Sequence, residues 1–435
     1  MKKVLGKIWE GNLVYRLTLL LLLLLPFEYL PTLDLFGYTV KLSYLVALAL
    51  VAVYILQGSW RNLKLTATDY FLLAFVASSF LTIIWSINPL RSLITSCLFL
   101  FVVIVYFVLK QSIEPAKLER YYNIIIGVGV AAALFALWQF VAEASGALAH
   151  LSFLRSPYQS EVFGFPRVHS TFLEPLYFAN FLLVPVYLTM RQMMRRRGRP
   201  YGYALLILLT VFFLTLSRGA LWSLLVSFIL LSLYLLGRFR SHLKRILLIV
   251  AIASFAFGAA MGLVYLAAGE KGVRSYVEQS GTAEPIPDTE TAASGARDYD
   301  YITSRGYTMR VAIDKIVEQP WGVGAGAFGA LPEFEPIRAK SAWQIVNNLY
   351  LEILVEEGML GFILFGLFLI LFIGENLFAL IDDYSERQID NLFLTLALVA
   401  IFIQYMTFST LYVLSIWVFL ALAEAAKNAA ETNQR

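Results

Sequence analysis

The chain is poor in charge. Of its 435 residues only 15% are Asp, Glu, Lys or Arg, against 59% apolar residues and a mean hydropathy of +0.72. A soluble domain carries roughly 25% charged residues, so this balance excludes an ordinary water-soluble fold and leaves lipid as the solvent. The net charge of +4 is spread among loops, with no basic stripe of the kind that tracks nucleic acid. Cysteine is almost missing. The single Cys97 lies in an apolar run, which excludes a disulfide framework and a cysteine zinc site. Histidine is scarce as well: His150, His169 and His242 have no cysteine or histidine partner at ligand spacing, so no metal or other cofactor is expected. There is no internal repeat.

What the chain has instead is apolar runs. A membrane span needs about 20 mostly apolar residues. Runs of that kind lie near 13–30, 39–57, 68–86, 92–109, 122–142, 173–190, 201–217, 219–237, 246–267, 358–381, 392–408 and 410–426. Lys2, Lys3 and Lys7 ahead of the Leu19–Leu25 run resemble a signal peptide, but Pro26, Phe27 and Glu28 follow in place of a small-residue cleavage site, so this is read as a retained first span. The expectation is an all-α, polytopic membrane protein of about 12 transmembrane helices. Lysine and arginine are roughly 20 in one set of alternate segments and about four in the short loops of the other set, which predicts cytoplasmic termini. The predicted organisation has spans 1–9 in residues 1–267, with an outer loop at 143–172. A large helical periplasmic loop or lid follows at 268–346, between spans 9 and 10, and spans 10–12 occupy 347–435. Gly269 to Asp300, with Pro285 and Pro287, has loop composition. Met309, Ile313, Ile316 and Val317 recur at helical spacing and predict an amphipathic helix over 304–318, on the membrane-facing side.

Ionisable groups inside spans are costly and few; Glu375 reads first as a residue near the cytoplasmic end of its helix. Polar residues gather at the outer helix ends instead, in four groups. Arg167 to Pro175 enters the sixth span, with Pro175 suited to a first helical turn. Thr215 to Gly219 holds Arg218 in a tight turn that leaves it little room to reach bulk water. Arg305 and Arg310 precede Pro320-Trp321-Gly322-Val323-Gly324-Ala325-Gly326, which follows a helix rather than a strand and so reads as a compact turn, not a nucleotide loop. Asn347 to Glu352 leads into the tenth span, with Asn348, Glu352 and Glu356 four apart on one face. Taken singly, each group has a plainer reading as a solvated arginine or a wet helix face. His169, Ser170 and Glu174 are loop neighbours rather than a nucleophilic triad. Taken together the groups form a candidate anion site. Arginine forks suit phosphate oxygens, and would stabilise a lipid diphosphate leaving group as a glycosidic bond breaks.

These groups resemble, in the same order, motifs of the bacterial O-antigen ligase and O-antigen polymerase superfamily. Asn347-Asn348-Leu349-Tyr350-Leu351 with Glu356, Gly358, Leu360 and Gly361 resembles the family's His-Asn-x-Tyr-Leu and later Glu-x-Gly-x-x-Gly. Arg310 with Pro320, Gly322, Gly324 and Phe328 resembles its arginine helix and Pro-x-x-Gly-x-Gly turn. Ser217-Arg218 resembles its serine-arginine turn, and Thr171-Phe172-Leu173-Glu174-Pro175 its threonine-phenylalanine segment. The resemblance implies an all-helical fold of the GT-C type. It also implies metal-independent transfer, on the outer face, of an undecaprenyl-diphosphate-linked glycan to an acceptor hydroxyl on a glycan or glycolipid. The family's diphosphate-binding arginines map onto Arg218 and Arg310, with Arg167 a looser match. Asn347 departs from the family, because ligases carry a histidine there and asparagine takes no proton near neutral pH. That role is absent or moved to Glu174, Glu352 or Glu356; Glu174 itself stands where many ligases have asparagine. Both departures favour an O-antigen or exopolysaccharide polymerase over a ligase acting on lipid A–core. A lipid-linked glycan transporter or flippase is the reading from another class, and it lacks a legible charged path through the bilayer. The expected catalytic residues are Arg218, Arg310, Glu174 and Asn347; the expected substrate-binding residues are Arg167, Arg305, Asn348, Glu352 and Glu356.

Overall fold

Asn12 accepts the Tyr15 N–H and so starts the first helix, α1 (Leu13–Leu24). The computed structural model describes residues 12–29, 33–35, 38–62, 64–160, 164–195, 198–238, 243–281, 304–339, 343–378, 386–409 and 411–431. A two-stranded hairpin, β1 (Leu33–Leu35) and β2 (Tyr38–Val40), joins α1 to α2 (Leu42–Leu56). Then come α3 (Ala67–Leu81), α4 (Pro89–Ser112), α5 (Leu118–Ala144), α6 (Pro175–Met194), α7 (Arg199–Leu214) and α8 (Arg218–Arg238). They are followed by α9 (Leu243–Gly281), α10 (Arg305–Glu318), α11 (Leu349–Phe378), α12 (Glu386–Gln404) and α13 (Leu414–Glu431). A helix thus stands at each apolar run. Six stretches are long and apolar enough to cross a membrane: Ala67–Ile84, Pro89–Ser112, Pro115–Ala144, Arg218–Leu235, Leu243–Gly269 and Leu349–Leu377. Leu13–Leu24, Leu42–Leu56, Arg199–Leu214 and Asn391–Thr407 are apolar but shorter.

Two segments differ from the sequence expectation. The run at 246–267 does not end the helix; α9 breaks at Gly269 (φ 65°, ψ −178°) and continues to Gly281, where loop composition was expected. No proline interrupts the chain before Pro285, so helix remains open to it. The lid residues 282–303, with Pro285 and Pro287, and the N-terminal Lys2, Lys3 and Lys7 lie outside the described residues. The amphipathic helix forms as α10, but its apolar stripe divides. Thr308, Val311 and Ala312 are buried, Met309 and Ile316 pack on the same small core, and Ile313 and Val317 are exposed.

The interior is built around α6, α12 and α13, which are apolar and buried on nearly every side, as a helix surrounded by other helices must be. Within it α6 packs on α12 and α7, α8 on α12, α3 on α11, α4 on α13, and α7 on α9. Pro185 inside α6 is accommodated by Gly129 of α5, where a Cβ would lie 2.6 Å from the proline Cβ.

One end of the bundle buries a charge network that composition alone did not reveal. The Lys110 Nζ donates to Asp69 Oδ2 at 2.7 Å and Oδ1 at 2.9 Å, with side chains 3% and 0% exposed. Lys427 donates to Glu375 at 2.7 Å and to Glu424 at 3.0 Å, Thr68 donates to Glu375 at 2.6 Å, and Lys110 lies 3.4 Å from Glu424. Glu375 is therefore one member of a paired set rather than an isolated charge. Nearby on the same end of α6, Arg191 and Arg195 both donate to Glu119. Removing one partner of a buried pair leaves the other charge uncompensated. Lys110→Met is accordingly expected to destabilise the detergent-solubilised protein by roughly 3–5 kcal/mol, with much of the loss recovered in the Lys110→Met/Asp69→Leu double variant. Denaturant unfolding of the two variants checks both parts.

Candidate functional site

At the opposite end, α11 is interrupted at Gly358 (φ 72°, ψ −171°), just past Glu356, the last of the residues expected to carry chemistry. A break frees backbone carbonyls that water cannot reach in lipid, so protein must satisfy them. The glycine turn does this. Val323 N–H donates to Val355 C=O and Gly324 N–H to Glu356 C=O, both at 2.9 Å, while Met359 N–H returns a bond to Pro320 C=O at 2.9 Å. The approach requires glycine on both sides, since a Cβ at Gly322 would collide with the Glu356 carbonyl and one at Gly358 with the Trp321 carbonyl. The other face of the turn meets the α3–α4 corner, where Ala325 N–H donates to Thr82 Oγ1 at 3.0 Å and Ile87 N–H to Val323 C=O at 3.1 Å.

Three of the expected polar residues maintain this geometry. Glu356 accepts Gly326 N–H at 2.7 Å and Phe328 N–H at 3.1 Å, clamping the turn. Glu352 is buried and accepts Val346 N–H at 3.1 Å and the Ser409 hydroxyl at 2.7 Å, tying the strand-like segment before α11 to the one after α12. Asn348 caps α11, its Oδ1 accepting Tyr350 N–H and Leu351 N–H at 3.1 Å. Asn347 is half-buried and holds φ at 60°, a left-handed conformation in which asparagine, aspartate and histidine are the enriched side chains.

The arginines come from three separate elements. Arg167, in the loop before α6, donates Nε and Nη2 to the Thr215 carbonyl at 3.3 and 3.2 Å, which sets it beside the start of α8. Arg218 is the first residue of α8 and is exposed; the tight turn buries Ser217 and Ala220 and leaves the arginine outward, contrary to the expectation that it lacks room to reach water. Gly219 lets α8 close on Thr407. Arg305 begins α10 and keeps solvent-facing surface, yet surrounding protein is dense enough that burial, the Arg218 charge and, more weakly, the Arg167 charge lower its pKa, with Glu174 opposing them. Arg167, Arg218, Arg305 and Glu174 are thus one electrostatic cluster. Arg310 is exposed on the other side of α10 from the buried Thr308 and does not figure in that group.

Residues 203–366 match the O-antigen ligase family. The match supports a likeness to the O-antigen ligase and polymerase family over this stretch. The matched residues include Arg218, Arg305, Arg310, the glycine turn and the Asn347–Glu356 segment, so the matched region contains most of the structural site. No curated protein matches the chain. With its apolar helices, the chain is a multi-pass membrane protein whose residues 203–366 are similar to the O-antigen ligase family.

Two residues of the candidate site, Tyr158 and Arg155, were not singled out by sequence. Tyr158 donates to Glu174, and burial first, then Glu174, push its phenol up to about 12 against the opposing pull of Arg155 and Arg167. Arg155 donates Nη1 to the Leu173 carbonyl at 2.7 Å, directly before Glu174. The Ser217 hydroxyl is buried at the N-terminus of α8 with no hydrogen-bond partner among the described residues. A buried hydroxyl beside a helix N-terminus and three arginines is an arrangement that would suit an anion. Among the described residues, no three of His, Cys, Asp and Glu gather as a metal-holding group.

His169 has a structural role that titrates. It is fully buried, and its Nε2 accepts the Arg155 N–H at 3.1 Å. Burial lowers its pKa from 6.5 to about 4, against backbone hydrogen bonds that raise it. Between those values the unfolded chain binds the proton and the folded chain does not, so stability is complete above pH 6.5 and declines as pH falls toward 4. The full effect is roughly 3 kcal/mol. In His169→Gln this part of the acid loss should vanish, and thermal unfolding from pH 7.5 to 4 compares the two slopes.

Proposed function

We propose that the protein is a glycosyltransferase that moves an undecaprenyl-diphosphate-linked glycan to an acceptor hydroxyl on the outer face of a bacterial inner membrane, with both termini cytoplasmic. The observation that carries this reading is the convergence of Arg167, Arg218 and Arg305 on the N-terminus of α8, where the Ser217 hydroxyl is buried and unpaired. Three guanidinium forks and a helix N-terminus suit a diphosphate with its multiple charged oxygens. In the proposed reaction the acceptor oxygen attacks the anomeric carbon, the bond from that carbon to the diphosphate breaks, and the electron pair leaves on the phosphate oxygen. The arginines stabilise the charge that develops there. Glu174, beside Arg305 and Tyr158, takes the acceptor proton. Asn347 positions the acceptor. Asn348, Glu352 and Glu356 support it through the backbone they hold, and Arg310, on the exposed face of α10, makes an outer contact with the incoming anion.

The reading extends to a GT-C-type, metal-independent polymerase of O-antigen or exopolysaccharide repeats, because Asn347 and Glu174 replace the pair found in many ligases. A ligase acting on lipid A–core is the second reading, favoured by the family match at residues 203–366. A flippase is disfavoured, since the buried charge network lies at the end away from the arginines instead of continuing through the bundle.

Purified protein given an undecaprenyl-diphosphate-linked repeat unit should produce a ladder of products from the donor alone. Product only when lipid A–core is added would convert the reading to ligase. Arg218→Ala and Arg305→Ala are expected to lower kcat/KM by about 100-fold or more, and Arg310→Ala chiefly to raise KM. Near-wild-type turnover in both of the first two variants overturns the assignment of the diphosphate site.

A further inference from the structure

α7 and α9 pack side by side and run parallel: Arg199 and Arg245 lie together near their starts, and the Phe213 and Phe257 rings meet at 5.3 Å further along. A groove of about 620 Å³ opens between the two helices. Arg199 and Arg245 stand at its head, and its walls are Tyr203 and Leu206 of α7 with Leu248, Ile252 and Phe255 of α9. The wall residues recur at three- and four-residue spacing, so each helix offers one apolar face. From Arg245 to Phe255 the wall runs about 15 Å, half of a hydrocarbon core about 30 Å thick, and so the depth of one leaflet. Gly202 keeps the groove open, since a Cβ there meets no atom within 4 Å. Tyr203 and Phe255 are exposed, and the α9 wall belongs to a stretch long and apolar enough to cross a membrane.

Apolar walls alone would admit any acyl chain; the charge at the head narrows the occupant. Arg199, Lys244 and Arg245 occupy the first turns of α7 and α9, and none has a carboxylate partner among the described residues. The neighbouring Arg191 and Arg195 differ, because both donate to Glu119. Neither first turn holds an acidic residue, and no Asp or Glu lines the groove. Cations at helix N-termini add to the positive end of the helix dipole instead of offsetting it, so an anion is favoured there. Arg245 is also held in place: it donates Nη1 to the Met194 carbonyl, and no other described residue accepts from it. This head is remote from the candidate site. The helix from Arg199 to Thr215, whose carbonyl accepts from Arg167, is about 24 Å long.

We infer that this groove binds an anionic glycerophospholipid of the leaflet at this end, with an acyl chain along α7 and α9 and the phosphate at Arg199 and Arg245. The inference is independent of the proposed transfer reaction. Guanidinium forks pair well with phosphate oxygens, and basic pockets between membrane helices recognise anionic head groups in this way. A zwitterionic lipid offers the same chain, but it brings an amine toward three cations where no carboxylate lines the groove to receive it.

Native mass spectrometry and thermal unfolding of the full chain, delipidated in a neutral detergent, test this with dioleoyl phosphatidylglycerol and dioleoyl phosphatidylcholine as probes. Phosphatidylglycerol should be retained as a single adduct and raise the unfolding midpoint, as a ligand of the folded state does. Phosphatidylcholine should do neither at the same concentration. The double variant Arg199→Gln/Arg245→Gln should weaken phosphatidylglycerol binding by about ten-fold or more. Gly202→Trp, which fills the groove where no protein atom stands, should weaken it as well. In nanodiscs, phosphatidylglycerol with a diazirine in its acyl chain should label the wild-type peptides containing Tyr203–Leu206 and Leu248–Phe255. Equal retention of the two lipids, labelling confined to other helices, or full binding in both variants overturns the inference. A dimer in place of the lipid adduct would make the groove a contact between copies, and stronger displacement of the label by undecaprenyl diphosphate would make it a donor surface; either result also overturns it. The lipid comparison and the labelling use wild-type protein, so they decide the matter even where a variant fails to fold. None of these readouts involves transfer, so the proposed reaction stands or falls on its own assay.

Discussion

The break in α11 at Gly358 is the constraint on which the rest of the candidate site depends. A straight helix would satisfy its own carbonyls and leave the glycine turn with nothing to dock on. Because the helix is interrupted, Val355 and Glu356 offer carbonyls that Val323 and Gly324 take, and the Glu356 carboxylate seals the contact at Gly326 and Phe328. That docking places the small core of Val311, Phe328, Phe334 and Val346 against α11, and with it the axis of α10. Arg305 reaches Arg218 only because α10 is held there. Two glycines packed against backbone therefore determine where a guanidinium on another element sits.

Charge is distributed between the two ends by a consistent logic. At the end with Asp69, Lys110, Glu375, Glu424 and Lys427, opposite charges are matched within hydrogen-bond distance, and the set serves cohesion of α3, α4, α11 and α13. At the arginine end like charges are gathered, with Glu174 beside them as an opposing charge. Folding tolerates it because Arg218 and Arg305 remain in contact with solvent. The four non-glycine residues in left-handed conformation among the described residues, Phe153, Ser170, Leu216 and Asn347, also fall at this end. Strain and gathered like charge thus coincide at the candidate site, which is where the proposed ligand would bind.

How much of this was legible in the sequence depends on the range of the interaction. Apolar runs are local, so a helix could be read at each of them, and the order of the four polar groups could be followed along the chain. Three-dimensional pairing is not local. Lys110 and Asp69 are 41 residues apart and look like ordinary helix-end charges until α3 and α4 pack together. The same holds for Arg305, whose place beside Arg218 depends on the docking of α10, whereas Arg310, the better motif match, projects from another face. Tyr158 and Arg155 carry no motif at all and join the site through the fold of the loop before α6. Asn348, Glu352 and Glu356 were recognised as a common face, but spacing could not tell that backbone amides and Ser409 occupy their oxygens.

Asn347 shows how backbone and proton chemistry separate at one position. Its φ of 60° is a conformation that asparagine and histidine both adopt more readily than most residues, so exchanging one for the other keeps the shape of the segment entering α11. What the exchange removes is a proton acceptor near neutral pH. Under the proposed reaction that function falls to a carboxylate, and the structure distinguishes the three available. Both Glu356 oxygens accept backbone amides, and Glu352 accepts an amide and a hydroxyl in a buried site. Glu174 instead lies among the arginines that would receive the diphosphate. The arginine cluster proposed to stabilise the leaving group thus lies beside the carboxylate proposed to take the acceptor proton.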